Sequence, residues 1–178
     1  MIFIIHETVC SGQQAIDAVG SDGKFISYHG LIHRDGSLTK MVSHSDTAYG
    51  AGESSFNGEH STLTPQEREE SGYSQCGTAD RTFTTVNNFA IQYSLETIQN
   101  EERQGGYTKA QYRTLARVIK GTGIPADRIT SHYNVNLTND RTDPRHLNLE
   151  ALNKELNSIG YKGGEVRFEV VGEPIEPM

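Results

Sequence analysis

Residues 87–98 read NNFAIQYSLETI, and this stretch sets the fold class. Apolar residues alternate with small or polar ones, which predicts a β-strand because successive side chains of a strand point to opposite faces. The predicted apolar face consists of Phe89, Ile91, Tyr93 and Leu95.

Three further stretches predict strands. Residues 2–5 (IFII) form a short continuous apolar run, which is typical of a buried strand. Residues 24–42 (KFISYHGLIHRDGSLTKMV) contain two strand-like runs around an Asp-Gly dipeptide, which favours a tight hairpin turn. Residues 164–178 (GEVRFEVVGEPIEPM) predict one more strand, and the end at 172–178 is interpreted as an acidic tail or the start of a linker.

Apolar periodicity predicts two helices. Residues 107–123 (YTKAQYRTLARVIKGTG) begin with Thr108 as N-cap and Gln111 three positions later, which is the pattern of a capping box. Residues 147–160 (LNLEALNKELNSIG) form the second helix, which ends at its glycine. The predicted buried stripes are Tyr112, Leu115, Ala116 and Ile119 in the first helix and Leu149, Leu152, Leu156 and Ile159 in the second.

This succession of strands and helices predicts an α/β fold, and 178 residues fit a single domain, which we place at 1–171. Residues 53–85 are polar, rich in Gly, Ser, Thr and Glu, and without a sustained period. They are predicted to form a long surface excursion from that domain.

Composition argues against several functions. The net charge of −7 and the absence of a basic cluster disfavour a nucleic-acid partner. The run at residues 2–5 is too short for a signal-peptide core or a membrane span, so we expect neither a signal peptide nor membrane insertion. Cys10 and Cys76 lack CxxC spacing, and we interpret them as a reduced pair or as isolated small hydrophobic residues rather than metal ligands; a disulfide between them is the alternative.

Candidate metal ligands lie where predicted secondary structure ends. His6 follows the first apolar run, and residues 130–144 (TSHYNVNLTNDRTDP) place His132 and Asp143 in a segment poor in apolar residues. Two imidazoles and one carboxylate suit zinc, which with three protein ligands keeps a fourth position for water. Such a water becomes acidic enough to attack an amide without a protein nucleophile.

Four stretches, in order across most of residues 2–150, carry a resemblance to a known family. They are FIIHET, SYHGLIHRDGSLTKMV, NNFAIQYSLE, and the helix-to-loop segment YTKAQYRTLARVI…GIPADRITSHYNV…DRTDP. Together they resemble the type 2 zinc-dependent N-acetylmuramoyl-L-alanine amidases, which share a fold with peptidoglycan recognition proteins. The resemblance implies a central mixed β-sheet flanked by helices.

The resemblance also implies a ligand set of His6, His132 and Asp143 for Zn²⁺. Asp143 has an alternative interpretation as a helix cap, since Asp before Pro commonly opens a helix. His146 is the rival third ligand.

Two residues match catalytic positions of the family. Tyr28 falls where short phage amidases and catalytic recognition proteins carry a Tyr that orients water or stabilises charge; the alternative is an ordinary strand aromatic. Arg141 falls where relatives often have a Lys that stabilises the oxyanion; the alternative is a surface Arg. Another branch uses a Glu as acid/base at the position of Ser94, which leaves Glu96 as a fallback.

The hairpin contains two more histidines, and the segment that follows it departs from the family pattern. His29 and His33 are interpreted as structural. The family's Trp-His-Ala-Gly segment appears as YGAG at residues 49–52, which lacks the aromatic-His pair of relatives.

The function implied is hydrolysis of the amide between N-acetylmuramic acid and L-alanine in peptidoglycan, as a phage endolysin. Such a protein is made in the host cytoplasm and acts on the cell wall after release, with or without a separate wall-binding domain. The alternatives are a recognition module that binds peptidoglycan without cutting it, and a zinc hydrolase that cuts another wall amide.

Overall fold

The computed structural model describes residues 1–8, 12–18, 26–70, 82–97 and 106–178. Cys10 and Cys76 lie outside these ranges. The strands are β1 (Ile2–Glu7), β2 (Gly30–Ile32), β3 (Leu38–Lys40), β4 (Ser61–Leu63), β5 (Phe83–Thr85), β6 (Ala90–Leu95) and β7 (Ile129–Ser131). The helices are α1 (Gly12–Ala18), α2 (Pro65–Glu70), α3 (Lys109–Thr122), α4 (His132–Val135) and α5 (Leu149–Ser158).

The main sheet has five strands in the order β3-β2-β6-β1-β7. β6 pairs in parallel with β1 and β2, β1 pairs in parallel with β7, and β2 and β3 form the predicted antiparallel hairpin. The mixed sheet flanked by helices confirms the predicted fold class. Because β1 and β7 run in parallel, their carboxyl ends deliver His6 and His132 to the same edge.

Each face of the sheet is covered by its own hydrophobic core. Phe3 and Ile5 of β1 face the larger core, which contains buried residues of α3 and α5. Ile2 and Ile4 face a smaller core that includes Phe56. Burial of β1 on both faces explains its continuous apolar run.

Residues 53–85 contain regular structure that their composition does not predict. β4 and β5 form a two-stranded antiparallel sheet, and α2 follows β4. Phe56 stacks under Arg128, whose guanidinium forms two hydrogen bonds with Glu59 at 2.8 and 3.0 Å. The described part of this segment is therefore attached to the main sheet rather than projecting from it.

The strand predicted within residues 164–178 is wrong. Residues 165–171 are in no strand, and the backbone of Val166 instead forms two hydrogen bonds with the Asn153 side chain of α5, at 2.8 and 3.0 Å. The alternating apolar residues Val166, Phe168 and Val170 pack against the larger core, although their segment has no neighbouring strand.

A second correction concerns the start of the central strand. Phe89, predicted on its apolar face, lies in a 3₁₀ turn over Asn87–Phe89 and packs against the smaller core.

The acidic tail packs on the domain. The Ile175 N–H donates to the His146 carbonyl at 3.1 Å, and the Met178 N–H donates to the Tyr107 carbonyl at 3.2 Å. In the part of the chain that the structure describes, we find no helix with the length and apolarity needed to cross a membrane.

The capping box predicted for α3 is confirmed. The Thr108 hydroxyl accepts from the Gln111 N–H at 3.1 Å, and the Gln111 side chain accepts from the Thr108 N–H at 3.0 Å. The helix ends at Gly123, whose φ of 70° is left-handed.

Replacement of this N-cap tests its contribution to stability. We expect Thr108→Ala to lower the free energy of unfolding by about 1 kcal/mol, because a donor in the first turn loses its acceptor. For a chain of this length, that corresponds to a fall of about 2–4 °C in Tm. Differential scanning calorimetry measures it, and Lys109→Ala, at the exposed neighbouring position, is the control. Equal Tm values for the two variants would contradict the prediction.

Candidate metal centre

Three side chains far apart in the sequence meet at the edge of the sheet. His6 Nδ1 lies 3.4 Å from Asp143 Oδ2, and His132 Nδ1 lies 3.0 Å from Asp143 Oδ1. The two imidazole centroids are 4.6 Å apart. One potential ligand atom from each residue lies within 4.8 Å of the other two.

Local structure holds each of these side chains in place. His6 is near the end of β1 and is fully buried. His132 opens α4 directly after β7, and the hydroxyl of Ser131 caps that helix by accepting from the Asn134 N–H. The loop that carries Asp143 is held against α4, because the Asp143 carbonyl accepts from the Tyr133 N–H at 3.0 Å.

The cluster favours a neutral His6 beside an ionised Asp143. Burial lowers the pKa of the His6 imidazole, and this outweighs the opposing effect of the Asp143 carboxylate. Burial alone would raise the pKa of Asp143, but its interactions with the nearby His132 and His6 imidazoles lower it well below its usual range. Neutral imidazoles and an ionised carboxylate are the protonation states that bind metals.

The donor set fits zinc. Ligand atoms about 2.0–2.2 Å from a tetrahedral zinc lie roughly 3.3–3.6 Å apart. The distances from the two imidazoles to Asp143, 3.0 and 3.4 Å, are close to that separation, and ligand atoms of all three residues lie within 4.8 Å of one another. Among the described residues, the buried His6 Nδ1 has no hydrogen-bond partner. A buried nitrogen left without a partner costs free energy unless something binds it, and a cation does so.

The two predicted catalytic residues occupy different surroundings. The ring of Tyr28 is half-buried, and its centroid lies 4.9 Å from that of His6. Arg141 is 52% exposed and lies 3.9 Å from Asp140, a neighbour in the same loop. The structure thus brings Tyr28 to the cluster and leaves Arg141 at the surface, and the catalytic role of each stays a prediction.

Glu96, the fallback acid/base, makes contacts that connect parts of the fold. Its carboxylate accepts from the Gly12 N–H at 2.5 Å and from the Arg34 N–H at 3.0 Å, and it lies 3.4 Å from His33 Nδ1. Burial opposes ionisation of Glu96, but the two backbone hydrogen bonds lead the interactions that lower its pKa overall. These contacts join α1 to the hairpin.

The other histidines also have structural contacts. His29 Nδ1 accepts from the Gln92 N–H, and its Nε2 lies 3.1 Å from the Asp46 carbonyl. His146, the rival third ligand, directs Nδ1 to the Glu173 carbonyl at 2.8 Å.

Two parts of the site escaped prediction from the sequence. Gln92 Oε1 lies 3.0 Å from His6 Nε2. On the opposite face of β1, the buried Glu7 carboxylate accepts from Arg145 Nε and from the Tyr107 hydroxyl, each at 2.8 Å. The available signals were a Gln inside a predicted strand and a Glu directly after a ligand histidine.

The fold and the cluster define a class: a single α/β domain with a candidate mononuclear metal centre at the carboxyl edge of a mixed sheet. Residues 2–146 match the model of Amidase_2, the N-acetylmuramoyl-L-alanine amidase family. The match covers most of the chain, and the chain belongs to this family. No curated protein sequence matches it significantly.

Three solved structures share the fold. A selenomethionine derivative of AmpD has 22% identity and a TM-score of 0.62, over 87% of this chain and 83% of that one. AmiD from E. coli, in complex with the substrate anhydro-N-acetylmuramic acid-L-Ala-D-gamma-Glu-L-Lys, has 17% identity and a TM-score of 0.64, over 86% and 56%. AmpDh3 from Pseudomonas aeruginosa, in complex with anhydromuramic pentapeptide, has 14% identity and a TM-score of 0.62, over 86% and 58%. The alignment thus spans little more than half of AmiD and AmpDh3.

Proposed function

We propose that the protein is a zinc-dependent hydrolase of the amide that joins N-acetylmuramic acid to L-alanine in peptidoglycan. The observation that carries this proposal is the meeting of His6, His132 and Asp143 at one edge of the sheet, in a chain of the amidase family. The muropeptides bound to AmiD and AmpDh3 support the substrate class.

His6, His132 and Asp143 would hold the zinc. When bound, zinc supplies Lewis-acid polarisation of a carbonyl and lowers the pKa of a water molecule toward about 7. The Tyr28 hydroxyl is proposed to donate a hydrogen bond to the substrate carbonyl oxygen as negative charge develops there. Arg141 is proposed to add a positive charge from the exposed loop once substrate is bound.

Product analysis tests both the bond cut and the need for zinc. Purified cell walls are digested with zinc-loaded protein, and mass spectrometry identifies the new termini. We expect free N-terminal L-alanine on the stem peptides and intact lactyl carboxylates on the muramic acid. New termini within the peptide cross-links would overturn the choice of bond, and no products at all would favour a binding module.

We expect removal of the metal to abolish this activity. After dialysis against a chelator, turnover should fall below detection and return when zinc is added back, because the two imidazoles and the carboxylate cannot by themselves supply the Lewis acid that polarises the carbonyl and activates water. Far-UV circular dichroism of the chelated protein controls for unfolding. Full activity in the chelated, folded protein would count against a metal-dependent reaction.

We further propose that the enzyme acts as a phage endolysin, made in the host cytoplasm and reaching the cell wall after release. The support is the resemblance of Tyr28 to the catalytic Tyr of short phage amidases, together with its place beside His6. Expression with and without a membrane-permeabilising protein tests this role. Lysis only when the membrane is permeabilised is expected, and intact cells under both conditions would contradict it.

A further inference from the structure

The buried amide of Gln92 is fully hydrogen-bonded beside the candidate metal centre. Gln92 is 0% exposed and lies in β6, the strand paired with β1. Its Oε1 faces His6 Nε2 at 3.0 Å. Its Nε2 donates to the Ala48 carbonyl and to Asn87 Oδ1, each at 2.8 Å.

These partners determine which way the amide points. The Ala48 carbonyl can only accept a hydrogen bond. Asn87 Oδ1 also accepts, since the Ala51 N–H donates to it at 3.0 Å. Two acceptors therefore converge on one end of the Gln92 amide, which must be its NH₂ group. The oxygen of the amide is left facing His6.

The orientation of Gln92 in turn fixes the tautomer of His6. An amide oxygen only accepts, so His6 Nε2 must carry a proton to bond with it. In a neutral imidazole, the other nitrogen then has a free lone pair. That nitrogen is Nδ1, the buried atom without a hydrogen-bond partner, and it lies 3.4 Å from Asp143 Oδ2.

Gly50 leaves the space that this arrangement needs. A Cβ atom at residue 50 would lie 2.6 Å from Gln92 Oε1 and 3.0 Å from two ring carbons of Tyr28. Both distances are too short for ordinary contacts, so any side chain there would displace Gln92, Tyr28 or both. Gly50 lies in the YGAG segment, whose role the sequence did not reveal.

We infer that Gln92 is a positioning residue that holds His6 in the Nε2–H tautomer, so that Nδ1 offers its lone pair to the metal, and that Gly50 makes room for it. The inference rests on the proposed function only in requiring that the cluster binds zinc. Hydrogen bonds that orient a ligand histidine commonly affect metal affinity about 10- to 100-fold.

Two variants test the inference by zinc affinity. Gln92→Met keeps the approximate length of the side chain but removes the amide, and Gly50→Ala pushes the amide away. Competition titration with a chromophoric chelator should show an affinity about 10- to 100-fold weaker for each. Ile91→Val is the matched control, because Ile91 is also buried in β6, next to Gln92, but its side chain packs in the larger core on the other face of the sheet.

The tautomer of the His6 ring can be measured directly. It would not change in Gln92→Met if Gln92 only supported the fold. In zinc-free, ¹⁵N-labelled protein, we expect the His6 ring to show the Nε2–H form in the parent and a mixture in Gln92→Met. A parent in the Nδ1–H form would overturn the inference. So would a parent that does not bind zinc, or affinities of both folded variants within twofold of the parent.

Neither measurement depends on which bond the enzyme cuts. If product analysis reveals cleavage of a different amide while the affinity and tautomer results hold, the proposed substrate fails and the role of Gln92 stands. If cleavage occurs as proposed but the tautomer is Nδ1–H, the role of Gln92 fails alone.

Discussion

Asp143→Ala is expected to abolish zinc binding and to lower amide hydrolysis by more than about 100-fold, since loss of a residue that only orients a ligand already costs about 10- to 100-fold. Asp143 is the only carboxylate in the described metal cluster, and both imidazoles face it, at 3.0 and 3.4 Å. Without it, two neutral histidines would have to hold the dication alone. Zinc content by elemental analysis and the rate of turbidity loss of purified cell walls measure the two effects.

Asp140→Ala is the matched control for this variant. Asp140 lies in the same loop but is 59% exposed, and its charge interaction is with Arg141 rather than with the histidines. It should retain zinc and most of its activity. If Asp143→Ala kept its zinc while remaining folded, the carboxylate would not be a ligand. The alternative interpretation of Asp143 as a helix cap is wrong, because α5 begins at Leu149 and its N-cap is Asn148, which accepts from the Ala151 N–H at 2.9 Å.

Arg145→Met is expected to destabilise the fold more than any surface change. Arg145 pairs at 2.8 Å with Glu7, whose side chain is 0% exposed, so the variant leaves a buried carboxylate without its cation. Breaking a buried pair costs about 3–5 kcal/mol; because Arg145 itself is 24% exposed, we expect the lower end of that range. The fall in Tm should be about 6–12 °C for a chain of this length.

Two comparisons isolate the buried charge as the cause. Arg167→Met breaks an exposed pair with Glu165 at 2.7 Å and should leave the Tm nearly unchanged, because solvent screens exposed charges. Adding Glu7→Gln to Arg145→Met removes the unpaired charge and should recover part of the lost Tm. Thermal denaturation in the presence of a chelator excludes effects of metal binding. Similar losses for Arg145→Met and Arg167→Met would show that burial of the pair contributes little.

The sequence predicted elements that local signals specify. The Asp-Gly turn, the capping box at Thr108 and the apolar runs act within a few residues, and the structure confirms the hairpin, α3 and the buried strands. Prediction failed where the pattern was right but the backbone partners were distant. The alternation of apolar and polar residues at 165–171 arises because the apolar side chains pack on the core. The backbone of Val166, however, bonds the side chain of Asn153 and not a neighbouring strand.

In the candidate site too, residues with a local signal in the sequence could be predicted, and residues that depend on distant partners could not. His6, His132 and Asp143 could be selected as candidates because His6 follows a short apolar run and the other two lie in a segment poor in apolar residues, and the family resemblance implied the same three residues. Gln92 could not be identified, since its partners Ala48 and Asn87 come from separate segments and only the fold brings them together.

The order of strands also constrains how the centre can form during synthesis. β1 is made first but lies between β6 and β7, so it has no neighbour in the sheet until residues 90–95 and 129–131 have left the ribosome. Pairing across such long separations is slow compared with local folding. Fragments truncated before Asp143 should therefore lack the metal centre, because both the strands that pair with β1 and the third ligand are missing or incomplete until the chain has been made as far as that residue.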